Sequence, residues 1–392
     1  MFCPDANRPE FEYDENFIDI LEYEVLDKLP NPFLMEDGSI ADTPEKWEKR
    51  RKEIYKSAVE LQYGTQPPKP EFLEVELLYG GGAGCSSYRI ITGKKDKPVS
   101  FLMKVFRPKS DLPCPIVVDG DMCFAYHFDK EYLDTFLKNK IAFCTFDRTQ
   151  LAHDVRDEGR RQGQLYETYP DYTFGAVGAW AWGFSRCLDA LEILAQDDLS
   201  LVAFAGHSRG AKTAMLAGVL DERATIVAPN STCAGANGCY RISMQAITEH
   251  GQERHSEQLS DMMRVFPFWF GEGMAEYVGR EDELPFDSHY LKAMVDPRIL
   301  IDTEAASDIW ANTVGSYFTT MAAKEVYKFL GAEENLYWSF RRGYHYHKVL
   351  DIQLLVNVIS HIRDGAPICD RFEHLPFEAP ELPFDWRCPE KK

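Results

Sequence analysis

The chain has 392 residues, of which 45% are hydrophobic and 27% are charged, a composition typical of a folded globular protein. It carries 43 basic and 63 acidic side chains, which give a formal charge of −20. Nucleic acids and anionic membranes repel such a surface, so we expect neither as a partner. The sequence also lacks an apolar run of roughly 18 residues, the length that a membrane-spanning helix requires.

The N-terminus and the cysteines bear on the compartment and on metal binding. Residues 1–19 contain acids and a proline where a secretory signal has a basic start and an apolar core. We therefore expect a cytoplasmic protein, or a secreted one if a leader has been removed. The ten cysteines form no C-x-x-C pair, which favours reduced, buried thiols over a zinc site. We predict no metal and no organic cofactor, and the oligomeric state stays open.

The first part of the chain is predicted to form an N-terminal arm, residues 1–70, that packs on the core. It contains one charged helical stretch that begins at Thr43, with Glu45 in its first turn. Beyond it, three short alternating runs separated by turns indicate antiparallel strands: FLEVELLYG, SSYRIITG and VSFLMKVFRP. The isolated GGGAG at 80–84 is not followed by a helix, so we interpret it as a turn and not as a phosphate loop.

After Pro113 the pattern changes to continuous apolar runs that alternate with helical stretches. The runs CPIVVDG, IAFCTFD and LVAFAG are typical of parallel strands covered on both faces. Residues 173–194 repeat apolar side chains at helical spacing and predict a crossover helix. We expect an α/β domain over residues 71–392, with a mostly parallel sheet covered by helices on both faces. Residues 240–290 lack strand character and predict an insertion of helices and loops near the active site.

The most informative segment is the run Gly206-His207-Ser208-Arg209-Gly210, which fits G-x-S-x-G. It follows an apolar strand and precedes a helix rich in small residues. The chemistry requires a sharp strand-to-helix turn, so that the serine hydroxyl projects above the sheet and the next amide faces the oxyanion. Flanking glycines relieve the crowding of that turn. We predict that Ser208 is a nucleophile and that residues 71–392 form an α/β-hydrolase domain.

A serine hydroxyl needs a base, and in this fold the order along the chain is serine, acid, histidine. Late in the chain, a predicted strand and a turn at Gly343 are followed by two histidines. We prefer His345 as the base, with His347 as the alternative. An apolar strand from Ile299 precedes what we interpret as a loop with two acids. We prefer Asp308 as the triad acid over Glu304, because its place well into the loop lets it reach the imidazole.

These residues resemble those of the glucuronoyl esterases, carbohydrate esterase family fifteen, over roughly residues 110–365. Family members have G-C-S-R-x-G-K at the elbow, and here Ser208, Arg209 and Lys212 are in register, with His207 in place of the cysteine. Other ordered similarities lie in WAWGFSR (180–186), LDER (220–223), FPFWF (266–270), LPFDSHYLKAMVDPR (284–298) and AAKEVYKFLG (322–331).

The resemblance implies roles for residues around the nucleophile. Arg209 helps to stabilise the oxyanion, Lys212 hydrogen-bonds the sugar acid, and Trp310 flanks the sugar. Fungal members carry their triad glutamate in P-Q-E-S-G, and the corresponding slot here holds Ser231. Some bacterial relatives instead use an acid in a D-x-W context, which Asp308-Ile309-Trp310 matches.

Two further site residues come from the sequence itself. A backbone amide near Gly120, after the strand CPIVVD, is expected to complete the oxyanion site. Trp269, in the aromatic part of the insertion, is a candidate for stacking on a sugar.

The sequence therefore predicts a serine carboxylester hydrolase whose substrate is a small-molecule or oligosaccharide ester, first of the glucuronoyl type. The alternatives are an esterase for short acyl groups such as acetyl, an amidase or peptidase, and a carbohydrate-binding protein that retains the fold without turnover.

Overall fold

A computed structural model describes residues 22–80, 84–124, 129–247 and 253–390. Parts of three predicted features lie outside the described residues: residues 1–21 of the arm, 81–83 of the glycine-rich turn and 248–252 of the insertion. Among the described residues, no helix combines the length and the apolar character needed to cross a membrane.

The described residues form twelve strands. In chain order they are β1 (Glu22–Val25), β2 (Phe72–Gly80), β3 (Cys85–Gly93), β4 (Pro98–Phe106), β5 (Ile116–Asp119), β6 (Ala142–Phe146), β7 (Val202–His207), β8 (Ile226–Asn230), β9 (Ile242–Ile247), β10 (Glu253–His255), β11 (Ile299–Ala305) and β12 (Leu336–Arg341).

Nine of these strands form one sheet in the order β12-β11-β8-β7-β5-β6-β4-β3-β2. The six strands from β12 to β6 are parallel, and β4, β3 and β2 continue the sheet in antiparallel fashion. The parallel strands β5, β6 and β7 are buried along their whole length, as continuous apolar runs predict. The predicted fold class, an α/β-hydrolase with a mostly parallel sheet, is confirmed.

Eight of the nine α-helices in the described residues lie in connections between strands, and the ninth follows β12. They are α1 (Pro44–Ile54), α2 (Lys130–Lys138), α3 (Gln164–Thr168), α4 (Ala176–Leu194), α5 (Arg209–Leu220), α6 (Leu259–Val265), α7 (His289–Val295), α8 (Thr313–Leu330) and α9 (Val349–Asp364).

Two of these helices show how local sequence sets an element's position. Thr43 caps α1 by accepting a hydrogen bond from the amide of Lys46 at 3.3 Å, as the sequence predicted. The helix α5 packs tightly on the sheet, because a side chain at Gly218 would collide with Val227 of β8. This close approach holds the C-terminal part of α5 against β8.

The insertion differs from its prediction, because it begins with strands. Strands β9 and β10 pair with each other, and β9 also pairs with β1 of the arm, in register from Glu22 opposite Gln245 to Val25 opposite Ile242. The expectation that residues 240–290 lack strand character is therefore wrong. The partner strand lies more than 200 positions earlier in the chain, so no local pattern announces the pairing. The division into an arm and a catalytic domain stays a prediction.

Candidate active site

The elbow between β7 and α5 holds Ser208 in a strained backbone conformation. Its φ is +57° and its ψ is −123°, a region that few non-glycine residues adopt. A side chain at Gly206 would collide with the Gly210 carbonyl, and one at Gly210 would collide with Asp121. Only glycine fits at both places, which is the physical reason for the G-x-S-x-G spacing. The Ser208 amide donates to the Asn230 carbonyl at 3.0 Å, which ties the turn to β8.

Three side chains form one hydrogen-bonded chain at the carboxyl edge of the sheet. The Nε2 of His345 lies 2.9 Å from Ser208 Oγ, and its Nδ1 lies 2.6 Å from Asp308 Oδ2. A carboxylate accepts hydrogen bonds, so Nδ1 carries the proton and Nε2 is left to accept the serine proton. The loop after β11 fixes Asp308, whose Oδ1 accepts from the Ala311 amide at 3.1 Å.

The surroundings of His345 act on its pKa in opposite directions. Burial lowers the pKa, but the charge of Asp308 and the hydrogen bond to it raise the pKa by more. The net pKa lies above the usual 6.5, so a neighbouring carboxylate stabilises the protonated imidazole. Neutral His345 therefore accepts a proton more readily than a free imidazole does.

The alternative acid and base lie elsewhere. Glu304 belongs to β11 and not to the loop expected for it. Its Oε1 accepts from Ser316 Oγ at 2.9 Å. Burial, together with the charges of Asp302 and Asp308, raises the pKa of Glu304 well above its usual value, which favours its protonated form. The His347 ring packs at 5.5 Å from that of Tyr132, and burial lowers its pKa to about 4.

A second histidine lies directly below the base. The ring of His207 is 4.7 Å from that of His345 and 5.5 Å from that of His347. Its Nδ1 lies 2.7 Å from Asn230 Oδ1. Burial, followed by the neighbouring imidazoles, holds the pKa of His207 well below 6.5, so its ring is uncharged. The sequence identified His207 only as a departure from the family cysteine, and its contact with the base was not predicted.

The predicted oxyanion residue Arg209 is the first residue of α5. Its Nη1 donates to Asp154 Oδ2 at 3.0 Å, and its guanidinium lies 4.7 Å from the centre of the Trp269 ring. Trp269 is 2% exposed, donates through Nε1 to Asp154 Oδ1 at 3.0 Å, and stacks on Phe266 at 3.9 Å. The ring predicted to stack on sugar is thus largely covered by protein, and Asp154 was missed because nothing local in its loop marks it.

The predicted sugar ligand Lys212 is buried, at 1% exposure. Its Nζ donates to Thr232 Oγ1, Cys233 Sγ and the Ala234 carbonyl at 2.8 to 3.0 Å, and Glu257 Oε2 lies 3.8 Å away. The sequence analysis did not identify Glu257. Its backbone amide donates to the carbonyl of Trp310, another of the predicted substrate-binding residues. These bonds leave Lys212 Nζ occupied by the protein.

The remaining predicted residues lie at the same edge of the sheet. Trp310 follows Asp308 by two positions and is 42% exposed, which leaves its ring open to solvent. Gly120 follows β5, and its carbonyl accepts from Arg148 Nη1 at 3.3 Å. In the part of the chain that the structure describes, no three His, Cys, Asp or Glu side chains cluster as metal ligands would.

This fold and this arrangement of serine, histidine and carboxylate define the class of protein as a serine hydrolase with the α/β-hydrolase fold. The family model "Glucuronyl esterase, fungi" matches residues 90–331. The chain belongs to the glucuronoyl esterase family and is a carboxylic ester hydrolase. That assignment excludes the binding-only alternative.

Individual relatives agree with the family match. The chain is 30% identical over 315 residues to the 4-O-methyl-glucuronoyl methylesterase of Schizophyllum commune, covering 78% of this chain and 75% of the relative. It resembles a family 15 glucuronoyl esterase from Caldicellulosiruptor kristjansonii, with a TM-score of 0.80, 25% identity and coverage of 93% and 98% of the two chains. The Hypocrea jecorina catalytic domain shares the fold, with a TM-score of 0.75, 24% identity and coverage of 95% and 99%.

The family match corrects one prediction. A cytoplasmic location was expected from residues 1–19, but the fungal glucuronoyl esterases that the chain matches are secreted enzymes acting on plant cell walls. The expectation was wrong because it rested on the composition of the first residues alone.

Proposed function

We propose that this enzyme cleaves esters of a glucuronate-type carbohydrate, with Ser208 as nucleophile, His345 as base and Asp308 as its carboxylate partner. The observation that carries the proposal is the pair of hydrogen bonds on the two ring nitrogens of His345, at 2.9 Å to Ser208 Oγ and 2.6 Å to Asp308 Oδ2. Both distances lie within the reach of proton transfer.

The acylation step uses all three residues. Ser208 Oγ attacks the ester carbonyl carbon while His345 Nε2 takes its proton, and Asp308 stabilises the imidazolium that results. The Arg209 amide and guanidinium, with an amide near Gly120, stabilise the negative charge on the carbonyl oxygen. His345 then gives its proton to the departing alkoxide, which leaves as the free alcohol, and the acyl group stays on Ser208.

Deacylation repeats the cycle with water. His345 takes a proton from the attacking water, and the second tetrahedral intermediate collapses to release the carboxylic acid. The proton returns to Ser208, which restores the resting enzyme.

Two observations support this substrate class, the substrates named for the relatives and the exposed ring of Trp310. The Schizophyllum commune relative is named for 4-O-methyl-glucuronoyl methyl esters. A related structure from Sporotrichum thermophile contains methyl 4-O-methyl-β-D-glucopyranuronate. Trp310 offers an open aromatic face beside Asp308, which suits packing against a sugar ring.

A short-acyl ester is the second candidate, and the state of Lys212 favours it. Three protein groups accept from Lys212 Nζ, so the ammonium is not presented to a sugar acid in this arrangement. An acetyl ester needs no such contact and uses only the serine, its base and the oxyanion groups.

A turnover assay separates the two candidates. Benzyl glucuronate and para-nitrophenyl acetate are compared on the native enzyme and on Ser208→Ala. Cleavage of the glucuronate ester that is lost in the variant supports the proposal. Cleavage of the acetate alone supports the short-acyl candidate, whereas a variant as active as the native enzyme contradicts the assignment of Ser208.

A further inference from the structure

We propose that Asp154 is a positioning residue that holds the Arg209 side chain at the oxyanion site and couples it to the insertion through Trp269. The inference rests on the proposed function, in which Arg209 stabilises the oxyanion. Asp154 lies in the loop after β6, far in sequence from both partners, and it belongs to none of the motifs discussed above.

The carboxylate divides its two oxygens between two elements. Oδ2 accepts from Arg209 Nη1 and Oδ1 accepts from Trp269 Nε1, both at 3.0 Å. The Asp154 side chain is 9% exposed, so these are partly desolvated, charge-assisted bonds, which are stronger than exposed ones. Within the described ranges, Asp154 is the residue that accepts a hydrogen bond from the Arg209 guanidinium.

Aromatic rings restrain the guanidinium sideways but do not fix its direction. Its centre lies 4.7 Å from Trp269, 4.9 Å from Phe266 and 5.9 Å from Phe124. Cation–π attraction is weakly directional within the ring face, whereas a hydrogen bond to a carboxylate aligns one N–H. Asp154 therefore sets the orientation, which matters because an oxyanion donor works only at the right distance and angle.

A second cation makes the charge of Asp154 important. Arg148 is fully buried, and its Nη2 lies 3.8 Å from the oxygen that binds Arg209. Without the Asp154 carboxylate, less negative charge would lie between the guanidinium groups of Arg148 and Arg209. Repulsion would then push the more exposed one, Arg209, away from its present place.

Further contacts bind the Asp154 loop to the insertion. Arg160 donates through Nη2 to the Phe270 carbonyl at 2.6 Å and through Nη1 to the Pro267 carbonyl, and Arg156 lies 5.7 Å from the Phe266 ring. The loop and the segment 266–270 thus form one unit. Asp154 joins this unit to α5 through its hydrogen bond to Arg209. Through this carboxylate, the insertion therefore holds a group of the oxyanion site.

The test is a double-mutant cycle between Asp154→Ala and Arg209→Ala, with kcat and KM measured separately. Removal of one oxyanion donor typically lowers kcat by about 10²–10³-fold, and we expect this of Arg209→Ala. Asp154→Ala should lower kcat by about 10–100-fold with little change in KM. If Asp154 acts through Arg209, its loss costs less than about threefold when Arg209 is already alanine. Independent, additive effects would overturn the proposal.

Two further variants keep the test interpretable. Asp154→Asn retains an acceptor without the charge and should fall between the native enzyme and Asp154→Ala, which also serves if the alanine variant fails to fold. Glu158→Gln is the matched control, because this carboxylate lies on the same loop and, among the described residues, its ion-pair partner is the exposed ring of His153. It should keep native kcat, and an equal loss in Glu158→Gln would mean that the loop, not Asp154, is responsible.

The cycle also separates this proposal from the proposed function. It is measured on an ester whose cleavage Ser208→Ala abolishes. Turnover that is insensitive to Ser208→Ala overturns the proposed function, and this inference with it. Additivity under turnover that depends on Ser208 overturns only the role of Asp154.

Discussion

Two walls of the active site are built in different ways. The triad wall consists of Ser208, Asp308 and His345, which follow β7, β11 and β12. These strands are parallel members of one sheet, so their carboxyl ends meet at one edge. The second wall joins Asp154, Arg209 and Trp269, and its hydrogen bond between Asp154 and Trp269 spans 115 positions of the chain. Strand topology determines the first wall, whereas side-chain contacts between distant segments determine the second.

The largest expected effect lies on the triad wall and distinguishes His345 from the neighbouring His347. His345→Ala removes the base and should lower kcat by about 10⁴-fold or more. His347→Ala is the matched control, because that ring packs against Tyr132 and His207. It should cost less than about tenfold. Steady-state kinetics on an ester that requires Ser208 decide the matter, and a reversed order of the two losses would contradict the assignment of the base.

The two carboxyl groups considered for the triad, Asp308 and Glu304, should differ almost as strongly in their effect on kcat. Asp308→Asn keeps the shape but not the charge, and such a change typically lowers kcat by about 10³–10⁴-fold. The raised pKa of Glu304 favours its neutral form, whose shape glutamine keeps, so in Glu304→Gln kcat should stay within about tenfold of native. Similar losses in both variants, with native circular dichroism, would show that the acid is misassigned.

The pH dependence of kcat/KM tests the pairing of Asp308 with His345. The base works only when neutral, and its pKa is raised above 6.5, so the acid limb should lie above pH 6.5. Below it, kcat/KM should fall about tenfold per pH unit. Asp308→Asn removes the carboxylate that raises the pKa, so the limb should move to lower pH. A limb unmoved in that variant would mean that another group titrates.

Trp310 tests whether the exposed edge of the triad wall binds sugar. Trp310→Ala should raise KM for benzyl glucuronate several-fold through lost ring packing, and should leave KM for para-nitrophenyl acetate unchanged. Tyr79→Ala is the control, because that ring is also exposed but lies on β2 at the far edge of the sheet. Equal changes in KM for both esters would contradict a role specific to the sugar.

The smallest expected effect concerns a buried carboxylate outside both walls. Asp296 is 1% exposed, and within the described residues its two oxygens have no hydrogen-bond partner. Burial raises its pKa to about 7 from 3.8, so the folded state binds more protons between those values and stability falls as pH rises through them. Asp296→Asn should raise Tm by a few degrees at pH 8 and hardly at pH 4. An equal shift at both pH values would contradict this origin.

The sequence alone predicted much of the triad wall. Continuous apolar runs indicated parallel strands, and the glycines around Ser208 indicated the elbow, because both signals are local in the chain. Asp308 and His345 followed from their order after predicted strands, and the structure brings both into hydrogen-bonding contact with each other and with the serine. Glu304 was predicted in the loop after β11 but belongs to the strand itself, because the apolar pattern of β11 ends before the strand does.

The features that only the tertiary structure determined are contacts between segments that lie far apart in the chain. They include the pairing of β9 in the insertion with β1 of the arm, the burial of Lys212 and Trp269, and the hydrogen bonds of Asp154 to two elements at once. Periodicity and turn chemistry operate over a few residues, so the chain itself determined the sheet, the elbow and the order of the triad. Hydrogen bonds across 55 and 115 positions leave no periodic trace in the sequence, so the wall that holds Arg209 became visible only once the chain was folded.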